Sequence, residues 1–141
     1  MNKVAFYNGF RAYLKLERSL SEHSIEAYLN DVLKLEQYFG SLNKAFNVNA
    51  LTLKELREFI SWLNNLGMQA SSQARILSGI KAFFNYLMIE EIITEDPTSL
   101  IESPKISRKL PDTLSINEIN RLLDAIDASH PDGMRSKAIL E

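Results

Sequence analysis

The chain has 141 residues, 45% of them hydrophobic and 24% charged, with a formal net charge of -2 and no cysteine. That length can bury a real core in one domain, or in one domain plus a fragment, and the lack of cysteine excludes disulfides and thiolate metal sites, as suits a reducing cytoplasm. No apolar run is long enough to cross a bilayer and no basic-then-apolar leader opens the chain, so the expectation is a soluble, cytoplasmic protein with no membrane partner.

In chain order, Phe6, Phe10, Tyr13 and Leu14 form one apolar stripe and predict a helix from Lys3 to Glu17, ending near Arg18 and Ser19. A second helix starts at Ser21, which can cap free backbone N–H groups while Leu20 staples onto Ile25. Its stripe of Ile25, Leu29, Val32, Leu35 and Phe39 leads to Gly40, a natural left-handed stop. Ser41 to Ala50 reads as a loop. Thr52 followed by Glu55 is a capping box with Leu51 and Leu56 as its staple, opening a third helix with the stripe Leu53, Leu56, Ile60 and Leu63, Trp62 at a helix junction, and an end at Gly67.

The fourth helix, SSQARILSGIKAFFNYLMI from Ser71, is predicted to run to about Ile93 and to stop before Pro97. One face is apolar: Ile76, Leu77, Ile80, Phe83, Phe84, Leu87 and Met88. The opposite stripe, Ser71, Ser72, Arg75, Ser78, Gly79 and Ala82, is small and free of acid, and no Asp or Glu occurs from Ala70 to Ile89, so Arg75 and Lys81 carry charge without a neighbouring carboxylate to cancel it. Close approach, hydroxyl donors and uncancelled positive charge suit a nucleic-acid backbone or major groove. A helix packed on both faces by other protein is the plainer reading, and on the residues alone both stay open.

The acids gather elsewhere, at Glu90, Glu91, Glu95, Asp96 and Glu102, while SPKISRKLP from Ser103 to Pro111 holds Lys105, Arg108 and Lys109 with none and reads as a linker. After it, Leu114, Ser115, Glu118 and Ile119 repeat the box and staple and open a fifth helix with the stripe Ile119, Leu122, Leu123 and Ile126; a sixth starts after Pro131. The last thirty or so residues cannot bury these apolar faces by themselves, which predicts a fragment whose second domain is mostly missing. Helices on short loops with no alternating strand pattern make an all-α bundle.

The series LSEHSIEAYLNDV, SSQARILSGIKAFFNYL, EEIITEDPTSLI, SPKISRKLP and LSINEINRLLDAI, in this order from Phe6 to Glu141, resembles the N-terminal part of a tyrosine recombinase, most like the bacterial Xer type. The resemblance implies a four-helix SAM-like core-binding bundle over residues 1–102, a basic linker over 103–111, and over 112–141 two further helices from a truncated catalytic domain. It implies an enzyme that cuts and rejoins duplex DNA through a 3′-phosphotyrosyl link with no metal, no cofactor and no external energy source, its two domains forming a C-shaped clamp. The family's catalytic set, an Arg, a Lys, a His-x-x-Arg pair, a further His or Trp and the Tyr nucleophile, belongs to the catalytic domain, and none of it matches a position here. Gly133, Met134 and Arg135 look like the triplet around the first catalytic Arg, but SKAILE follows where Val-Ser-Glu-like residues are normal, so Arg135 reads as non-catalytic.

Three places are candidates for DNA contact. His23 and Ser24 lie in the first turn of the second helix, where the positive helix end favours a phosphate, with plain capping by Ser21 and Ser24 as the other reading. Ser71, Ser72, Gln73, Arg75, Ser78 and Lys81 would face the duplex from the fourth helix, and Lys105, Arg108 and Lys109 would follow its backbone. The expected partners are double-stranded DNA carrying a dif-like site, a recombinase tetramer with itself or a second Xer protein, and a septal DNA translocase as activator, in resolving chromosome dimers at cell division. His23 and His130 have no ligand-spaced partners, the five tyrosines sit on or beside apolar stripes as packed rings, and Glu90 with Glu91 reads as a solvated helix end. The rivals are an integrase of a phage or conjugative element, a non-enzymatic DNA-binding regulator, and a helical protein-protein module docked through the small-residue stripe.

Overall fold

The computed structural model describes residues 3–108 and 110–141, and the described residues form six α-helices. The chain divides into two compact units, one ending at Ile106 and the other running from Ser107 to Glu141.

The first unit holds α1 (Lys3–Leu16), α2 (Glu22–Ser41), α3 (Leu53–Asn65) and α4 (Ala70–Ile89). Each apolar stripe supplies fully buried side chains: Phe10 and Leu14 from α1, Ile25, Val32 and Leu35 from α2, Leu56 from α3, and Ile80, Phe84 and Leu87 from α4. Burial of this kind contributes about 1.5–3 kcal/mol per large side chain and is what makes four amphipathic helices one body. The contact between α2 and α4 is the most extensive in the unit. Periodicity alone misjudged some stripe members: Phe59 and Tyr86 are buried, whereas Met88 is partly exposed. No helix among the described residues is long and apolar enough to cross a membrane.

The helix ends follow one device. Ser19, Asn43, Gly67 and Glu91 each take a positive φ just past α1, α2, α3 and α4. After α2, Asn43 N–H donates to Gly40 and Lys44 N–H to Phe39; after α4, Glu91 N–H donates to Met88 and Ile92 N–H to Leu87. These paired bonds satisfy carbonyls that would otherwise be orphaned at the helix end. Gly40 is therefore not the stop of the second helix, since α2 continues through Ser41 and Asn43 supplies the left-handed residue. The fourth helix likewise stops at Ile89 and not near Ile93, because Glu91 turns the chain and Ile93 packs back into the core.

The starts match the sequence more closely. Ser21 caps α2, Thr52 and Glu55 form the capping box of α3, and Leu51 and Leu56 are both buried beneath it. In the second unit, Ser115 and Glu118 form the box that opens α5 (Ile116–Asp124), followed by α6 (Pro131–Leu140). Neither helix buries a residue, and Ile116, Leu122, Met134 and Ile139 stand exposed.

Candidate nucleic-acid interface

Two contacts set how α2 and α4 lie together. Arg75 on α4 reaches the Ala27 carbonyl at 3.4 Å, and four residues on, Gly79 faces Asp31 so closely that a Cβ at position 79 would stand 2.8 Å from the Asp31 Cγ. Residues 27–31 of α2 thus meet residues 75–79 of α4 where the two helices touch.

On α4, Ser71, Ser72, Arg75 and Ser78 are all exposed, while the intervening Ile76, Leu77 and Ile80 are buried. The N-terminal part of the small-residue stripe faces outward, but its continuation does not: Gly79 is buried against Asp31 and Ala82 packs partly on the core. Gln69 is the N-cap but makes no side-chain capping bond, and the first turn holds no acid, so the leading N–H groups and the positive end of the helix dipole remain uncompensated. Ser78 turns its hydroxyl back onto the Ala74 carbonyl at 3.0 Å, leaving its outward surface small rather than donating.

Arg75 is not without a carboxylate, as the acid-free run of α4 suggested. Its Nη2 donates to both Asp31 oxygens, and the guanidinium lies 5.8 Å from the centre of the Tyr28 ring. The Asp31 side chain is 1% exposed and that of Arg75 48% exposed, so the pair has an inner carboxylate and an outer cation. Burial pushes the Asp31 carboxyl up to about 6, against the lowering pull of Arg75 and Lys34. All the hydrogen bonds of Arg75 use Nη2, so among the described residues Nη1 and Nε have no partner.

Two other candidates on α4 are turned to internal work. Gln73 is a correction: it is 5% exposed and does not face outward, because its amide donates to the Met68 carbonyl at 2.8 Å and to Asn64 Oδ1 at 3.3 Å, tying α4 to the end of α3. Lys81 is half-buried and donates from Nζ to the Ile101 carbonyl at 3.1 Å, which fastens the chain segment after α4 onto the helix.

At the start of α2, the Ser21 hydroxyl accepts the Ser24 N–H at 3.3 Å and bonds the Ser24 hydroxyl at 3.1 Å. Glu22 pairs with Arg11 at 2.7 Å and Lys15 at 3.0 Å, and these cations, Lys15 foremost, hold its carboxyl below the usual range. His23 is exposed beside this cluster. Lys105 and Arg108 are exposed and, among the described residues, pair with no carboxylate; Lys109 lies outside the described residues.

Reading the sequence missed Asp31 and Tyr28 as the partners of Arg75, and Lys34 as a charge acting on Asp31. The available signal was a lone acid on the otherwise apolar side of α2, one turn from Ala27 and three residues before Lys34. Only the register against α4 shows what it serves.

The four-helix unit is also the part of the chain that matches a known family. Residues 7–91 match the family described as phage integrase, N-terminal SAM-like domain, and the chain belongs to that family. It is similar to the tyrosine recombinase XerC of Natranaerobius thermophilus, at 36% identity over 132 residues, covering 94% of this chain and 44% of that protein. It is similar as well to the tyrosine recombinase XerD of Vibrio vulnificus, at 33% over 141 residues, 100% of this chain and 46% of that protein. Against XerD of Staphylococcus saprophyticus the identity is 36% over 129 residues, 92% of this chain and 43% of that protein. The chain spans less than half the length of the curated relatives it matches. No solved structure matches it.

Proposed function

We propose that this chain is the DNA-gripping, N-terminal part of a Xer-type tyrosine recombinase, a cytoplasmic enzyme that cuts and rejoins duplex DNA through a 3′-phosphotyrosyl intermediate to resolve chromosome dimers before cell division. The observation that carries the reading is the outward stripe of Ser71, Ser72, Arg75 and Ser78 at an uncapped, acid-free helix start, in a domain of the phage integrase family whose relatives bear tyrosine recombinase names. Grip and chemistry are divided. The first unit lays α4 against the duplex, with His23 and Ser24 on its flank; residues 103–111 carry Lys105, Arg108 and Lys109 along the backbone; and residues 112–141 begin the catalytic domain, which supplies the Arg, Lys, His and Tyr of the reaction.

Arg75 is the residue placed to read the duplex. Its Nη2 is held from within by Asp31, which leaves Nη1 and Nε to donate singly to a phosphate oxygen or to guanine O6 or N7. Ser71 and Ser72 let the helix approach closely and offer hydroxyls to phosphate oxygens. The full protein acts as a tetramer, with itself or with a second Xer protein, on a dif-like site and under the control of a septal DNA translocase.

Binding of the chain to a labelled duplex, titrated over a range of salt, tests the reading. Each phosphate contact releases counterions, so log Kd should rise with log salt by about 0.9 per contact. Affinity that is independent of salt, or the absence of any retarded complex, would reject DNA grip and favour a protein-binding module.

A further inference from the structure

The buried partner of Arg75 is not accounted for by packing alone. Asp31 is a carboxylate in the interior of the first unit, and α4 makes room for it with a glycine: at Gly79, a Cβ would stand 2.8 Å from its Cγ and 2.9 Å from its Cβ. Apolar residues of similar volume often serve a helix contact as well as a buried ion pair or better. Both of its oxygens are spent on one nitrogen of Arg75, while the Ala27 carbonyl takes a further bond from that same nitrogen and Tyr28 lies beside the guanidinium. Four contacts from α2 therefore fix the direction of an otherwise flexible side chain and leave the Nη1 and Nε donors free. The groups around the carboxylate are Arg75 and Gly79 on α4 and Lys34 on its own helix.

We propose that Asp31, seated in the notch left by Gly79, is a positioning residue that holds the Arg75 guanidinium in one orientation, so that its remaining Nη1 and Nε donors, each of fixed direction, discriminate between DNA sequences instead of attracting any phosphate within reach. The inference rests on the proposed DNA grip and adds to it a residue that never touches DNA. Held by Asp31, the cation is partly neutralised and of fixed direction; without Asp31 it is a full charge free to swing. Removing the carboxylate should therefore weaken selective binding and strengthen indiscriminate binding at once. A residue that merely braces α2 against α4 would weaken both.

The test compares two probes, a duplex selected on the wild-type chain from a random-sequence pool and the unselected pool itself, using wild type, Asp31→Asn, Arg75→Ala and the double variant, with circular dichroism to confirm folding. Asp31→Asn should reduce the preference for the selected duplex about tenfold. It should bind the unselected pool more tightly, with a salt slope steeper by about 0.9, and in the Arg75→Ala background the same change should leave the preference unaltered. If Asp31→Asn does not fold, Arg75→Lys decides, since an ammonium keeps the charge but has no further nitrogen to present once its one nitrogen is held. It too should lose the preference. Equal weakening toward both probes, the same effect of Asp31→Asn with and without Arg75, or wild-type preference in Arg75→Lys would overturn the assignment. Failure of the underlying reading is distinguishable, because the wild-type chain would then show no salt-dependent binding to either probe.

Discussion

Helices α2 and α4 are each 20 residues long and begin from almost the same backbone: Ser21 at φ -66° and ψ 155°, Gln69 at φ -68° and ψ 153°. What differs is what the protein does with the positive end that follows. The start of α2 is closed by the Ser21 cap and by Glu22, itself held by Arg11 and Lys15, whereas that of α4 has no side-chain cap, no acid and two exposed serines. Identical geometry has been given opposite electrostatics. A helix start that the protein does not neutralise itself is available to an external anion, and Arg75 one turn later adds to the same field.

The largest effect should come from removing the support the two helices share. Phe84 is fully buried in α4, and Phe84→Ala should cost about 3–5 kcal/mol of stability, read by urea unfolding, abolishing the contrast by loosening both helices together. The next prediction uses pH. Burial raises the Asp31 carboxyl from 3.8 to about 6, so the folded chain holds that proton more tightly than the unfolded one, and its contribution to stability declines as pH rises through this interval and is level above it. Glu22 has the opposite sign: its lowered carboxyl adds stability above its ordinary range, lost as pH falls through the folded value. Unfolding midpoints measured against pH should show Asp31→Asn removing the decline toward pH 6 and Glu22→Gln removing the loss on the acid side.

Smaller effects separate the two starts directly. Ser21→Ala should cost about 1 kcal/mol of stability, while Gln69→Ala, which deletes no capping bond, should leave the urea midpoint unchanged. Ser71→Glu makes α4 begin as α2 does. It should stabilise the helix by about 0.3–1 kcal/mol and at the same time weaken duplex binding, a pair of opposite changes that a purely structural α4 would not give.

Local signals were readable before the fold was known, and non-local ones were not. The boxes Thr52–Glu55 and Ser115–Glu118 and the Ser21 cap are closed within four residues, and each formed as the spacing predicts. The stops were less legible: glycine is the usual left-handed residue, but Asn43 and Glu91 took that conformation while Gly40 stayed helical. Gln73 looked like a member of the outer stripe because the groups that bury its amide, Asn64 and the Met68 carbonyl, come from α3 and the turn after it. Arg75 looked unpaired because the acid that holds it is 44 residues away and meets it only through the register of α2 on α4. Helical periodicity placed Ser71, Arg75 and Ser78 opposite the apolar face, where they are exposed, but left open whether other protein covers that side, and Gly79 on the same stripe is in fact buried against Asp31.

The most direct test of the central claim, that the open start of α4 lies against DNA, is amide chemical-shift mapping of the chain titrated with duplex. The largest changes should fall along Ala70 to Ser78, with smaller ones at His23 and Ser24. Changes confined to other helices, with Ser71, Ser72 and Arg75 unmoved at saturation, would contradict it.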